Sequence, residues 1–201
     1  MPPQNNAAFS PVKLLKDYKR LRRLINENGA AFCAFDVETT GLSYKKDRII
    51  ELGAVRFDKS GVLDVYDSFV KIDFALPPII TSITHITDAM LLDAPDIQKV
   101  MRDFEEFSKG CVLVAHNAQF DWNFVNAERT ALGMKELKNK AIDTLDLARW
   151  AYPVNKKYSL QYLASGMKID VHAAHRANDD ARVCMEVFLR AVRDTDSIQK
   201  D

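Results

Sequence analysis

The chain has 201 residues, 47% of them apolar and 28% charged, which suits one globular domain with a sizeable core. Lysine plus arginine equals aspartate plus glutamate at 28 each, so the formal net charge is zero. That balance argues against a tight, sequence-independent nucleic-acid-binding module, which would be basic, and no apolar run approaches the ~18 residues of a membrane span.

In chain order, residues 1–10 are polar and small and read as a disordered start. Met1–Phe9 has no basic stretch leading into an apolar one, so no signal peptide is read. Residues 11–28 read as a basic helix. Pro11 follows a Ser10 cap, Leu14, Leu15, Tyr18, Leu21, Leu24 and Ile25 recur at helical spacing, and Asn28-Gly29 ends it. Lys13, Lys16, Lys19, Arg20, Arg22 and Arg23 against Asp17 make its outer face basic, and a solvated surface is the simpler account of that face.

The main domain is expected over 29–195, with a tail at 196–201. Ala31–Phe35 is a continuous apolar run, as in a central strand buried on both faces. Arg48–Phe57 and Val62–Ile72 read as strands joined by the turn Asp58-Lys59-Ser60-Gly61. Then follow a helix at 95–109, a short strand at Val112–Ala115 and a helix at 118–132 ending near Gly133. A short strand at Ala141–Asp143 and helices at 144–151, 159–165 and 176–193 complete the chain. Three strands followed by alternating helices and strands predict an α/β domain whose sheet opens with a hairpin. Cys33, Cys111 and Cys184 are odd in number and scattered, which is neither a disulfide framework nor a zinc spacing. A reduced, cytoplasmic setting follows.

Three stretches carry candidate chemistry. In Phe35-Asp36-Val37-Glu38-Thr39-Thr40-Gly41 the two carboxylates are two apart at the end of the apolar run. Strand alternation puts both on one face, where they repel unless a cation lies between them. Oxygen ligands of this kind suit hard ions such as Mg²⁺. The two threonine hydroxyls and the glycine beside them offer room for a phosphate-bearing ligand. Asp121 falls in the first turn of a helix, beside its apolar stripe with Phe124 and Val125. In His175-Arg176-Ala177-Asn178-Asp179-Asp180, helical spacing separates neighbours. Asp180 aligns with Cys184, Val187 and Ala191, so it faces inward. Asp179 aligns with Arg182, Glu186 and Arg190, so it is expected to face water. A carboxylate on a buried face needs a partner or a metal. No glycine-rich phosphate loop supports a doubly wound nucleotide-binding protein.

These stretches resemble the motifs of the DEDDh 3′–5′ exonucleases, a family that includes the epsilon proofreading subunit and the exonuclease part of Gram-positive replicative polymerases. The matching motifs are Asp36-x-Glu38-Thr39-Thr40-Gly41, His116-Asn117-x-x-Phe120-Asp121 and His175-Arg176-Ala177-x-x-Asp180. Asp47–Val55, His85-Ile86-Thr87, Asp143-Thr144-Leu145 and Ser159-Leu160 extend the resemblance over roughly residues 31–193. It implies a ribonuclease H-like fold, a five-stranded mixed sheet flanked by helices. It implies two divalent cations, Mg²⁺ or Mn²⁺, held by Asp36, Glu38, Asp121 and Asp180, with His175 as general base. His175 stands five before Asp180, as the subtype requires, and His172 does not. Thr39 and Leu42 are expected at the terminal nucleotide. His116 and Asn117 are expected in substrate-positioning or structural roles, as is His85. The implied reaction releases nucleoside 5′-monophosphates from a 3′ end. The implied partners are single-stranded DNA, with RNA as the alternative, and a DNA polymerase.

Overall fold

The computed structural model describes residues 12–26 and 30–198. The disordered start expected at 1–10, the helix boundaries expected at Pro11 and Asn28-Gly29, and the last residues of the expected tail lie outside them. Five strands form: β1 (Phe32–Thr39), β2 (Ile49–Asp58), β3 (Gly61–Phe69), β4 (Val112–Ala115) and β5 (Ala141–Asp143). They make one sheet in the order β3-β2-β1-β4-β5. β1 pairs antiparallel with β2 and parallel with β4, so the sheet is mixed, as expected. The β2–β3 turn closes where Asp58 Oδ1 accepts from Ser60 N at 2.7 Å, and Gly61 takes φ +125°, which only glycine adopts readily.

Eight helices accompany the sheet among the described residues: α1 (Tyr18–Asn26), α2 (Pro78–Thr84), α3 (Asp88–Leu91), α4 (Ile97–Phe107), α5 (Gln119–Ala131), α6 (Thr144–Ala151), α7 (Leu160–Gly166) and α8 (Ala177–Ile198). None is long and apolar enough to cross a membrane. Strand alternation sorts the core into two layers. Cys33, Phe35 and Val37 of β1 pack with Met101 and Phe104 of α4 and with Trp122, Phe124 and Val125 of α5. Phe32 and Ala34 face the other way, onto Leu147 of α6 and Cys184, Phe188 and Ala191 of α8. There Phe32 lies 5.4 Å from both Phe57 and Phe188, ring centre to centre. Each such buried ring contributes roughly 1.5–3 kcal/mol. Asp36 and Glu38 continue the Phe32–Ala34 alternation, so they end the α8-facing row.

The sequence reading of 11–28 as one helix is corrected. Helix begins only at Tyr18. Before it the chain is extended and adds to the sheet edge: Leu15 N donates to Ala141 O at 2.8 Å, and Ala141 N donates to Lys13 O at 3.0 Å. β5 is an edge with unpaired backbone groups, and pairing them outweighs helical periodicity at Leu14 and Leu15. β1 also runs on through Asp36 and Glu38 to Thr39, α8 runs to Ile198, and α2 and α3 have no counterpart in the sequence reading.

α8 meets the sheet at Gly53, which pairs with Asp36. A Cβ on Gly53 would lie 2.2 Å from Ala177 C and Asn178 N, so the first turn of α8 rests directly on the β2 backbone. Gly53→Ala must therefore lift the helix start or bend the strand. The expected loss is about 1–3 kcal/mol, the usual size of overpacking, read as a lower urea midpoint with unchanged slope. An unaltered midpoint would show that the contact has slack.

Candidate active site

β1 outruns its parallel neighbour. The last β1 residue paired with β4 is Ala34, and β1 continues for five more residues to Thr39. A notch opens beyond the end of β4, at the carboxyl ends of parallel strands where open α/β sheets place ligands. The Val37 N–H points into it with no strand to receive it. Asp121, in the first turn of α5 and 2% exposed, accepts that N–H through Oδ1 at 3.2 Å. Asp36 and Glu38 face the notch from β1. Asp180 reaches it from the first turn of α8, buried as its phase required, with Oδ1 accepting from Gln161 Nε2 at 2.8 Å. Its Oδ2 accepts the backbone N–H of His175 at 3.1 Å. Ligand atoms of Glu38, His175 and Asp180 all lie within 4.8 Å of one another. The His175 side chain is exposed.

Burial and mutual repulsion dominate the electrostatics. Burial raises the Asp36 carboxyl well above the ordinary range, and Asp121, Glu38, Asp180 and Glu51 push it the same way. Glu38 is pushed up to about 8, by burial first and then by Asp180, Glu51 and Asp121, with Arg176 opposing. Asp121 is also raised to about 8, again mainly by burial, although backbone N–H bonds pull it down. Asp180 is raised by burial against the bonds from Gln161 and His175. Four such groups cannot all ionise side by side near neutrality without positive charge among them. Clustered carboxylate oxygens with one imidazole are the donor set of a hard divalent ion, so the residues fit the implied cations.

The surrounding residues divide into braces and rim. The hydroxyls expected to greet a phosphate are engaged within the turn instead. Thr39 Oγ1 donates to Gly41 O at 2.6 Å, and Thr40 Oγ1 accepts from Arg48 N at 3.0 Å. Leu42 follows on a turn held by Ser43 N–H to Asp47 Oδ2 at 2.8 Å, yet its side chain is 88% exposed. His116 is a brace. Its Nε2 donates to Tyr158 O at 2.8 Å, so in the neutral ring Nδ1 accepts from Thr144 Oγ1 at 2.9 Å. Burial lowers its pKa and favours that neutral form. Asn117 has an exposed side chain and sits at φ +63°. Its N–H and that of Ala118 go to the Asp143 carboxylate at 3.0 and 3.1 Å. His85 is exposed and ends α2 at φ +59°.

Four residues given no role in the sequence reading bear on the site. Glu51, fully buried and paired with Glu38 across β1 and β2, takes Arg176 Nη2 at 2.8 Å and Ala177 N at 3.0 Å. Its signal was visible: a lone carboxylate inside the apolar run Ile49–Val55 needs a cation. Asp143 gathers the turn before α5, as above. Gln161 touches Asp180, and nothing in its spacing announces that. Asp179 does not face water as expected. Its Oδ2 accepts the N–H groups of His172 and Ala173, each at 2.8 Å, and its Oδ1 accepts from Arg182. A helical wheel cannot register a preceding loop that folds back over the helix.

The profile of the exonuclease family (RNase T type) matches residues 33–188. DNA polymerase III subunit epsilon of Treponema pallidum (strain Nichols) is 49% identical over 164 residues, covering 81% of this chain and 76% of that protein. DNA polymerase III PolC-type of Bacillus subtilis (strain 168) is 40% identical over 178 residues, covering 88% of this chain but only 12% of that polymerase. Among solved structures, exonuclease X in complex with 5′ overhanging duplex DNA is similar at TM-score 0.64 and 26% identity, over 81% of this chain and 91% of that one. The nuclease domain of 3′hExo, a DEDDh family member, bound to rAMP, is similar in fold at TM-score 0.72 and 19% identity, over 82% and 92%. With its carboxylates and histidine gathered at the end of β1, the chain belongs to the exonuclease family, as a 3′–5′ exonuclease.

Proposed function

We propose that this chain removes nucleotides from single-stranded or frayed 3′ ends of DNA as nucleoside 5′-monophosphates, in proofreading or repair beside a DNA polymerase. The convergence of Glu38, His175 and Asp180 within 4.8 Å, next to Asp36 and Asp121, carries the reading. The 49% identity to an epsilon subunit supports the polymerase partner and the DNA substrate. The three buried, unbridged cysteines fit a reducing, cytoplasmic setting.

Asp36, Glu38, Asp121 and Asp180 would hold Mg²⁺ or Mn²⁺. Bound there, such ions supply Lewis-acid stabilisation of developing oxyanion charge and make water more acidic. The chain's own groups do the rest. His175, exposed toward the notch, takes the proton from the attacking water. The water oxygen bonds to the terminal phosphorus, the bond to the upstream 3′ oxygen breaks, and that oxygen leaves as the new 3′ hydroxyl. Leu42 presents an apolar side chain to the terminal base, the Thr39 backbone lines the same end, and the exposed Asn117 amide offers a polar contact. His116 keeps the Asn117 turn in place.

The function is tested with matched DNA and RNA oligonucleotides labelled at the 5′ end. Stepwise shortening of DNA from a free 3′ hydroxyl, resistance of 3′-blocked strands and slower attack on RNA are expected. Cutting of closed circular strands would overturn the polarity, and faster attack on RNA would replace the substrate.

The metal reading is tested through linkage. Glu38 and Asp121 titrate near 8 in the fold, against roughly 4 in the unfolded chain. Between those values the folded chain holds the more protons, so rising pH destabilises it. In EDTA, Tm is expected to fall between about pH 5 and pH 8. Mg²⁺ or Mn²⁺ should raise Tm, increasingly so across that window. A flat or rising profile in EDTA, or full turnover in excess EDTA, would remove the cations from the reading.

His175 lies close enough to Glu38 and Asp180 to be a ligand as well as a base, and one variant separates the two. As base, His175→Ala lowers kcat by roughly 10²–10⁴-fold with the Mn²⁺ activation constant unchanged. As ligand, it raises that constant and excess Mn²⁺ recovers the rate. His172→Ala is expected to be near normal, because His172 contributes a backbone N–H to Asp179.

A further inference from the structure

His175 occupies a conformation that needs support. Its φ is +61°, in the left-handed region that an L residue other than glycine keeps only where its surroundings impose it. Its own N–H is held by Asp180. The loop that delivers it is held by the neighbouring aspartate. Asp179 Oδ2 accepts the backbone N–H groups of His172 and Ala173, both at 2.8 Å. Asp179 Oδ1 accepts Arg182 Nε at 2.9 Å and Nη2 at 2.7 Å. The same Nη2 donates to Asp170 O at 2.5 Å, and Arg182 Nη1 donates to Glu186 Oε1 at 2.6 Å. One carboxylate and one guanidinium thus tie the loop at three points to the first turns of α8. A capping box would send the third helical residue back to the N–H of the N-cap. Asp179 is that third residue, and it reaches three and four positions further back, into the loop itself.

We propose that Asp179 is a positioning residue for the reaction, fixing the His175 imidazole against Glu38 and Asp180 by clamping residues 172–173. The two adjacent aspartates divide the work: Asp180 faces the reacting centre and Asp179 faces the loop. The proposal rests on the reading of His175 as general base. Displacement of a reacting group by about 1 Å costs on the order of 10²-fold in rate, so a loosened loop is expressed in kcat. A merely structural aspartate at the start of α8 would change stability and would lower the rate equally whether or not His175 is present.

The test is a double-mutant cycle on a single-stranded DNA oligonucleotide at saturating Mn²⁺, with Tm recorded for every variant. Asp179→Ala is expected to lower kcat about 10- to 100-fold, and to add less than about 2-fold to the loss already caused by His175→Ala. Asp179→Asn, which keeps a carbonyl acceptor for the loop, should lose less than Asp179→Ala. If Asp179→Ala does not fold, Asp179→Asn and Arg182→Gln carry the same cycle. Equal losses with and without His175, or parental kcat in the Asp179 variants, overturn the positioning role while leaving the base in place. Parental kcat in His175→Ala overturns both, because no base then remains to be positioned.

Discussion

Glu51 is fully buried and takes Arg176 at 2.8 Å, and this ion pair seats the start of α8 on β2. Arg176 also stacks over the Phe69 ring at 5.1 Å, so the guanidinium is fixed in plane as well as by charge. Removing either partner would strand a charge in the interior, a change that is strongly destabilising even where the intact pair adds little. The position of α8 matters because two site residues ride on it or just before it. Glu38 lies across from Glu51 and Asp36 across from Gly53. The helix that lands on Glu51 and Gly53 therefore brings Asp180 and His175 to the strand pair that carries the first two carboxylates. Arg176 has a second effect, since its charge opposes the upward shift of Glu38.

The other half of the site depends on a mismatch in strand length. β4 ends at Ala115 while β1 runs on, and the unpaired Val37 N–H is taken by a side chain from α5 instead of a strand. The turn between β4 and α5 must then be rigid, or Asp121 would wander. Asp143 supplies that rigidity by accepting from Asn117, Ala118 and Leu145 at once. His116 adds a second tie, joining α6 to the segment before α7. The notch is thus framed by groups whose polar atoms are bonded to the protein itself.

Much of this was legible in the sequence, and the failures share a cause. Alternation in Asp36-Val37-Glu38 and helical phase around Asp180 state a direction for each side chain, and the fold keeps those directions because Phe35 and Val37 fill the opposite face of β1, while Cys184, Val187 and Ala191 bury the stripe of α8 on which Asp180 lies. Periodicity says nothing of where chain from elsewhere will lie. It could not anticipate that Leu14 pairs beside Ala141, that Gln161 meets Asp180, or that residues 172–173 return to Asp179. α2 and α3 are helices of seven and four residues, the second too short for a 3.6-residue period to emerge. At the motif threonines the hydroxyls close the turn, and what faces outward there is Leu42.

The raised pKa values of Glu38 and Asp121 change what occupies the site when no cation is near. Burial and mutual repulsion favour protons in that place, so the resting centre is closer to neutral than four aspartate and glutamate symbols suggest. Loading with a divalent ion is then an exchange, ion in and protons out, and its apparent affinity follows the acidity of the medium. Calorimetry of that exchange would return a heat that varies with the ionisation enthalpy of the buffer. A modest alkaline shift would favour the loaded form at constant divalent-ion concentration, which makes the proton a competitor of the ion at this centre.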